Sequence, residues 1–580
     1  AAAGSASAAS GSATAAATSA TNAGNSATAA AGSATTASTQ ATNASNSATA
    51  AAGSATTAGT HATNAGNSAT AAAGSAAAAA AIVAGFSAFW LSVVGATSAA
   101  ASWLLLNVTG HLTSRTLLKA IVPQTGMSIY LNEGMRSGMW TWRSGDYSAE
   151  IARDTQEGVY LKANSVAATS GAWLRNGAGH SQKLNVLWFG ADPTGVVDSY
   201  AAFNGARSVL EYNSDYRGGV IYAPRGKYKI DTTLSFTYYA AGVVHNMYLE
   251  GDGQLATTLD FSGKASGVCM DFTKGVHFGI SDMTVVGNST GSGIRINSGG
   301  GSSDFASHYH IKRVRIQNCV HGLQLYNTFM GDIEDVWSMN NSNYGIIAQG
   351  FHTSLSFRRC WASDNGDSGW YLQGLVYSSF LSCASDRNAV GFQLSNLNAV
   401  TFVGCGTESN WQDGYQLFAN DALAALTSIT EAQDITGVSF ISCFNFKNGT
   451  GGAGVFATFM TLVTANARKI KISTRDCTSW RNNVADASIV SNGAGGTITI
   501  IESGCQYNGN VNIVSNTIWE GRKFTFTPTI KGSGVAGTGT YSIQSGEYII
   551  ENGYITVQGR VLWSALAGAT GGLLIGNLPK

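Results

Sequence analysis

A tetrapeptide recurs through the second half of the chain: Phe357-Arg-Arg-Cys360, Phe380-Leu-Ser-Cys383, Phe402-Val-Gly-Cys405 and Phe440-Ile-Ser-Cys443. Five residues after each cysteine stands an asparagine, at Asn365, Asn388, Asn410 and Asn448. The register continues through Cys477 to Asn482 and Cys505 to Asn510, and begins earlier with Val336 to Asn341. A glycine usually follows, then an alternating apolar run such as Gly369-Trp-Tyr-Leu, Gly391-Phe-Gln-Leu or Gly414-Tyr-Gln-Leu. The steps from Cys360 to Cys383 and on to Cys405 are 23 and 22 residues, and later steps are longer. A fixed period of this length marks a solenoid, in which each repeat buries its apolar face only against its neighbours. The segments are short alternating strands with polar turns, so one unit is one coil of a parallel β-helix. The cysteines then stack inside as small apolar fillers, and the asparagines line a bend that favours left-handed backbone.

Composition agrees with a turn-rich repeat: glycine is abundant at 71 and proline scarce at 5. The 33 basic and 33 acidic residues balance, so no basic face points to nucleic acid or an anionic membrane. The eight cysteines form neither CxxC pairs nor a metal-ligand spacing with histidine. Sitting singly, one per repeat, they are expected to be free core thiols of a protein made in a reducing cytoplasm. No metal and no cofactor are expected. The chain starts without methionine and ends inside an apolar pattern at Leu578-Pro-Lys580, as a fragment of a longer polypeptide would.

The first 81 residues are nearly all Ala, Ser, Thr, Gly and Asn. The phrase Asn-Ser-Ala-Thr-Ala-Ala-Ala-Gly-Ser-Ala begins at Asn25, Asn46 and Asn67, a spacing of 21 or three heptads. Alanine recurs every seventh residue from Ala6 to Ala69, and in a second row from Ala9 to Ala72. Alternating steps of three and four are the seam of a coiled coil, here a thin stalk roughly 100 Å long. Its residues are mediocre helix formers, so such helices depend on association. A flexible low-complexity tether is the alternative. Residues 82–116 carry an uncharged apolar window, Ile82 to Val94 and Trp103 to Leu106, long enough for a membrane span. Scattered Ser, Gly and Thr and the lack of a flanking basic cluster favour an oligomeric helical connector over a span.

Residues 117–186 read as a small β-rich neck. Then come Phe189-Gly-Ala-Asp-Pro-Thr-Gly195 with Asp198, and Val220-Ile-Tyr-Ala-Pro-Arg-Gly226. Asp192-Pro-Thr-Gly195 is a tight turn, and Asp198 or Ser199 can cap a helix through Ala206 to Leu210 that plugs the open end of the solenoid. This stretch resembles the entry motif of the pectate-lyase-like right-handed β-helix superfamily of bacteriophage tailspikes and tail fibres. The resemblance covers roughly residues 117–520. It implies a homotrimer on a virion, with its N-terminal side toward phage tail or baseplate proteins and a host surface polysaccharide as partner. It carries over no catalytic residue, since members include hydrolases, lyases and non-catalytic binders. The β-helix spans 187–520, and 521–580 form a small antiparallel module whose hairpin turns at Glu551-Asn-Gly553. The expected class is mostly β: a trimeric right-handed parallel β-helix after an Ala-rich coiled-coil rod.

The repeat also serves as a ruler. With each cysteine inside, the position two residues on is inside and small (Ala362, Ser385, Thr407), and the third points out. Asp386 and Glu408 occupy that third position on successive coils, roughly 4.8 Å apart at the backbone. Asp364 lies at position four one coil earlier, roughly 9.5 Å from Glu408 along the axis. Glycoside hydrolysis needs a protonated and an ionised carboxyl, about 5 Å apart for retention and about 6.5–9.5 Å for inversion. The expected catalytic residues are therefore Asp386 and Glu408, with Asp364 third. Trp361, Trp370, Trp411 and Trp480 offer surfaces for sugar stacking, and Arg358, Arg359 and Arg387 offer contacts to acidic sugars. Glu334 and Asp335 form a second acidic group, and His308 and His310 could share a strand face. Arg313 and Arg315 are read as a solvated face. A polysaccharide lyase, a non-catalytic receptor-binding fibre and a surface adhesin entering a membrane at 82–106 remain as alternatives.

Overall fold

The computed structural model describes residues 2–94, 110–178, 183–212, 218–236, 246–298, 306–419, 434–449, 460–464, 468–480, 487–491, 496–507, 511–513, 517–551 and 554–578. The chain divides into two compact units, residues 1–108 and 109–580. Within the first, Ala2–Val94 is one continuous α-helix whose side chains are exposed as far as residue 84. The alanine rows therefore lie on a helix, not on a flexible tether. Its threonines turn their hydroxyls onto the carbonyl four residues back, as Thr28 does to Gly24 and Thr70 to Gly66, each at 3.0 Å. This satisfies the polar atoms locally and leaves methyl groups outward. By length and composition alone the helix could cross a membrane, with a window of mean hydropathy 1.2 over Ala2–Ala84. Residues 95–106 of the apolar window expected at 82–106 lie outside the described residues.

The second unit opens with a five-stranded mixed sheet. Its core is Trp140, Trp142 and Trp173, the last two edge to face at 5.5 Å. Then Asp192 closes its turn by accepting from the amides of Thr194, Val196 and Val197. The Asp198 carboxylate accepts the Tyr200 amide at 3.0 Å and so starts the helix Tyr200–Tyr212. Ala202, Phe203, Ala206 and Leu210 of this helix are buried in the first coils, Phe203 edge-on to Tyr228.

The coils of the cysteine repeat are built of short strands, such as Ser356–Arg358, Trp361–Ser363 and Ser368–Gln373. Parallel pairing places equivalent positions in register: Phe357 on Phe380, then Phe402, then Phe440. These rings stack at 4.5–4.9 Å, centroid to centroid. A second stack, Trp370, Phe392 and Tyr415, meets it edge to face inside the core. Beside them Cys360, Cys383, Cys405, Cys443 and Cys477 are buried free thiols. Each donates to the carbonyl two residues back in its own coil. Burial pushes the Cys383 thiol well above its ordinary range. Two cysteines depart from the one-per-repeat expectation. Cys319 sits five residues after Val314, in the asparagine position, and donates its amide to Asn341 Oδ1 at 3.0 Å; Cys269 is buried earlier in the chain.

The asparagines form a ladder through the interior. Asn341, Asn365, Asn388 and Asn410 each donate Nδ2 to the Oδ1 of the next, the last reaching Asn448. The same oxygens accept the backbone amide of the preceding rung at 2.8–3.1 Å. The left-handed residue is not the asparagine, as the sequence suggested, but the one before it: Asn340, Asp364, Arg387, Ser409 and Lys447 all have φ between 51° and 56°. The chain must bend there to turn the asparagine inward, and the amide network over-determines the strained rotation. Asn482, Asn510 and the turn at 552–553 lie outside the described residues. The strands on either side of that turn, Thr538–Glu551 and Tyr554–Ala567, do form the expected antiparallel hairpin.

Removing a rung tests the ladder. Asn388→Ala strands two buried donors of Asn365 and should cost about 2 kcal/mol or more. Cys383→Ala removes only a filler and should cost about 1 kcal/mol. Thermal unfolding of both variants should show the larger fall in midpoint for Asn388→Ala.

Candidate functional site

The strand Ala384–Asp386 lies between Trp361–Ser363 and Gly406–Glu408, with Asp386 paired to Glu408 and Ser385 to Thr407. Ala362, Ser385 and Thr407 are buried, so the third position of each strand faces outward as the ruler requires. Asp386 and Glu408 therefore stand on adjacent rungs about 4.8 Å apart. Glu408 is exposed, whereas the Asp386 side chain is only 13% exposed. Burial raises the Asp386 carboxyl above the usual range; the Glu408 and Asp364 charges add to this, and Arg387 opposes it. Its Oδ1 is buried without a hydrogen-bond partner among the described residues, while Oδ2 takes a donor from Arg387.

Arg387 follows in the left-handed position and reaches back one coil, gripping Asp364 through Nε at 2.6 Å and Nη2 at 2.9 Å. That bidentate pair holds the Asp364 carboxyl below its usual range, so Asp364 is an ionised partner and not an acid. Arg–Asp pairs across rungs recur elsewhere: Arg313 with Asp282, and Arg359 with Asp335. Arg358 and Arg359 are spent in this way. Together with Lys312 they meet Asp332, Glu334 and Asp335, three cations against three carboxylates. Arg358 precedes the left-handed bend before Cys360 and Arg359 occupies it, and both pair with the Glu334–Asp335 group and not with Asp386. Around Asp386 the balance differs: Asp364, Asp386 and Glu408 share the Arg387 guanidinium.

The tryptophans separate. Trp370 is 0% exposed and contributes to the core stack, its Nε1 donating to the Ala384 carbonyl at 3.0 Å. It cannot meet a ligand. Trp361, 37% exposed, stacks on Trp337 at 5.0 Å and an interplanar angle of 4°. Arg315 covers the far side of Trp337 at 4.8 Å. The free face of Trp361 looks along the axis over Ala384 and then Gly406, both small, to the exposed Phe444. A flat ring can stack there with Asp386 and Glu408 beside it. Trp411, 63% exposed, stands past the bend at one end of a trough of about 670 Å³ that Asp364 and Arg387 also line. The Trp480 side chain lies outside the described residues.

His308 and His310 do not act together. His308 has a left-handed φ of 54° and packs on His277, whereas His310 stacks on Tyr248. Among the described residues no group of three or more His, Cys, Asp or Glu could hold a metal.

No family model and no curated protein matches the chain. Solved structures do match. The enzymatically active domain of tailspike protein 2 of bacteriophage CBA120 superposes with a TM-score of 0.52 at 13% identity, covering 76% of this chain and 69% of that one. For the full-length form of tailspike protein 2 the TM-score is 0.47 at 13% identity, and the coverage 76% and 61%. The gp42 tailspike of Acinetobacter phage vb_AbaP_AS12 gives 0.46 at 12% identity, with 80% and 93% covered. The first of these likenesses shows the fold, a parallel β-helix.

The burial difference predicts opposite costs. Trp370→Ala should destabilise by about 3–5 kcal/mol, and Trp361→Ala by about 1 kcal/mol or less, in denaturant or thermal unfolding. Equal losses would mean that the two rings are not divided between core and surface.

Proposed function

We propose that the chain is a phage tailspike or tail fibre that binds a bacterial surface polysaccharide and hydrolyses it at Asp386 and Glu408. The observation that carries this is the charge arrangement: three carboxylates around one guanidinium, with the most buried one raised in pKa and one oxygen unpaired. An acid that stays protonated beside an ionised carboxylate is the pairing that glycoside hydrolysis uses.

A sugar ring stacked on Trp361 brings the next glycosidic bond beside Asp386. The Asp386 carboxyl gives its proton to the glycosidic oxygen as the bond to the anomeric carbon breaks. The Glu408 carboxylate attacks that carbon from the other face and forms a glycosyl ester. The Asp386 carboxylate then removes a proton from water, whose oxygen displaces Glu408, and both residues return to their starting state. The rungs stand about 4.8 Å apart at the backbone, a spacing that supports the separation of about 5 Å between carboxyls on which a retaining course depends. Arg387 is the positioning residue: it anchors Asp364 and keeps the Asp386 proton labile. Its charge is already engaged by the Asp364 and Asp386 carboxylates, which weighs against its neutralising a uronate as a lyase would require.

A non-catalytic fibre is the second reading, favoured by the recurrence of Asp–Arg rung pairs away from this place. The likeness to one tailspike domain, the alanine seams of the stalk helix and the exposed Ile555, Val557, Leu562 and Trp563 of the C-terminal hairpin support a homotrimer attached to the virion through its N-terminal side. Sedimentation should give three times the 59.9 kDa chain mass; the chain mass itself would contradict the trimer.

Asp386→Asn and Glu408→Gln should each lower the release of reducing ends from the cognate polysaccharide by at least about a hundredfold without loss of fold. Wild-type rates in both would leave the binder reading standing. The alkaline limb of kcat/KM belongs to Asp386, since activity is lost as pH rises through its raised pKa. Arg387→Gln removes the cation that holds this pKa down and also frees the Asp364 charge. Both changes raise it, so the limb should move to higher pH; a shift to lower pH would rule out Asp386 as the acid.

A further inference from the structure

We infer that the trough past the bend is a second glycan site, which holds a neutral stretch of polysaccharide without cutting it. The inference rests on the polysaccharide reading above and adds a place to it. The trough of about 670 Å³ has the size of a small-ligand site, and its floor runs over the buried ladder residues Asn341, Asn365 and Asn388. Along one wall the sixth position after the cysteine slot is small on three successive coils: Ser342, Gly366 and Ala389. On the next coil the same position is Trp411, 63% exposed, its backbone pinned by an amide bond to the Asn388 carbonyl at 2.8 Å. A channel spanning three rung spacings, about 14 Å, thus ends against one free indole. An exposed indole over a polar channel suits a sugar, which presents an apolar face to the ring and hydroxyls to the walls.

Charge narrows the ligand. The charged side chains that line the trough are Asp364 and Arg387, and they neutralise each other in a bidentate pair. Among the described residues the channel therefore has no spare cation for a uronate and no spare anion for an amino sugar, and a neutral hydroxylated segment fits it. Neither Asp386 nor Glu408 lines it. Those acids stand on the strand before the bend, with the Asp364–Arg387 pair as the ridge between the two places. One chain can thus be held past the ridge and cut before it.

The probe is a panel of immobilised bacterial surface polysaccharides, some neutral and some bearing uronates, presented first to the full chain carrying Asp386→Asn and Glu408→Gln. Trp411→Ala removes the end wall, and Ser342→Trp fills the channel from an exposed position. Gly366 is unsuitable for filling, because a Cβ there would lie 2.2 Å from the Ser342 carbonyl oxygen. Retention on a neutral polysaccharide should fall about tenfold with each trough change. In an otherwise wild-type chain, Ser342→Trp should raise KM on the polymer while kcat stays within about twofold. Retention unmoved by both changes, or confined to uronate-bearing polymers, overturns the proposal. A loss of kcat in step with retention also overturns it, because the trough would then belong to the cutting site. Retention that depends on the trough, without any reducing ends from the wild type, defeats the hydrolytic reading and leaves this one intact.

Discussion

The structure depends on one repeated interaction, the carboxamide that each coil offers to the coil before it. Every ladder oxygen from Asn365 to Asn448 accepts two donors, a backbone amide and a neighbouring Nδ2, in a place closed to water, and Asn341 Oδ1 accepts the Cys319 amide. A slip of one residue between coils would leave these groups unpaired and turn every inward side chain outward. Register is therefore held at each rung independently. The stacked phenylalanines and cysteines add apolar burial to a register that the amides have already selected.

The geometry of the candidate site follows from the same constraint. Asp386 and Glu408 have no contact that draws them together; they are adjacent because Ser385 and Thr407 occupy the same inward slot on neighbouring coils. The distinction between this place and the rest of the surface lies in charge balance. Near Asp335 three cations meet three carboxylates, and Asp282 and Arg313 pair one to one. Around Asp386 one guanidinium serves three carboxylates, and burial together with the neighbouring Glu408 and Asp364 charges raises the Asp386 carboxyl above its usual range. Stacked acids with too little compensation cost stability, and such costs concentrate at sites that use them.

The inward positions were legible in the sequence because repetition records them: the Phe, Cys and Asn columns mark the core side. The outer surface is legible only where a ruler reaches it. Asp386 and Glu408 lie three residues from a cysteine and were placed in this way. Trp370 lies ten residues on, beyond the bend, and its phase was lost there; its equivalents Phe392 and Tyr415, apolar in every coil, were the available sign that it is buried. The exhaustion of Arg358 and Arg359 was visible only as acids one period earlier, at Glu334 and Asp335, and needed coil-to-coil register to interpret. The trough has no positive signature, since Ser342, Gly366 and Ala389 matter for what they leave empty.

The likeness to the enzymatically active domain of CBA120 tailspike protein 2 carries the fold, and the proposed chemistry rests on the carboxylates. The most direct test is the configuration of the first-formed reducing ends, followed by proton NMR as the wild-type protein cleaves its cognate polysaccharide. Adjacent-rung carboxyls at Asp386 and Glu408 predict that the new ends keep the anomeric configuration of the bond that was cut. Inverted ends, or unsaturated ends from elimination, would contradict the assignment of these two residues.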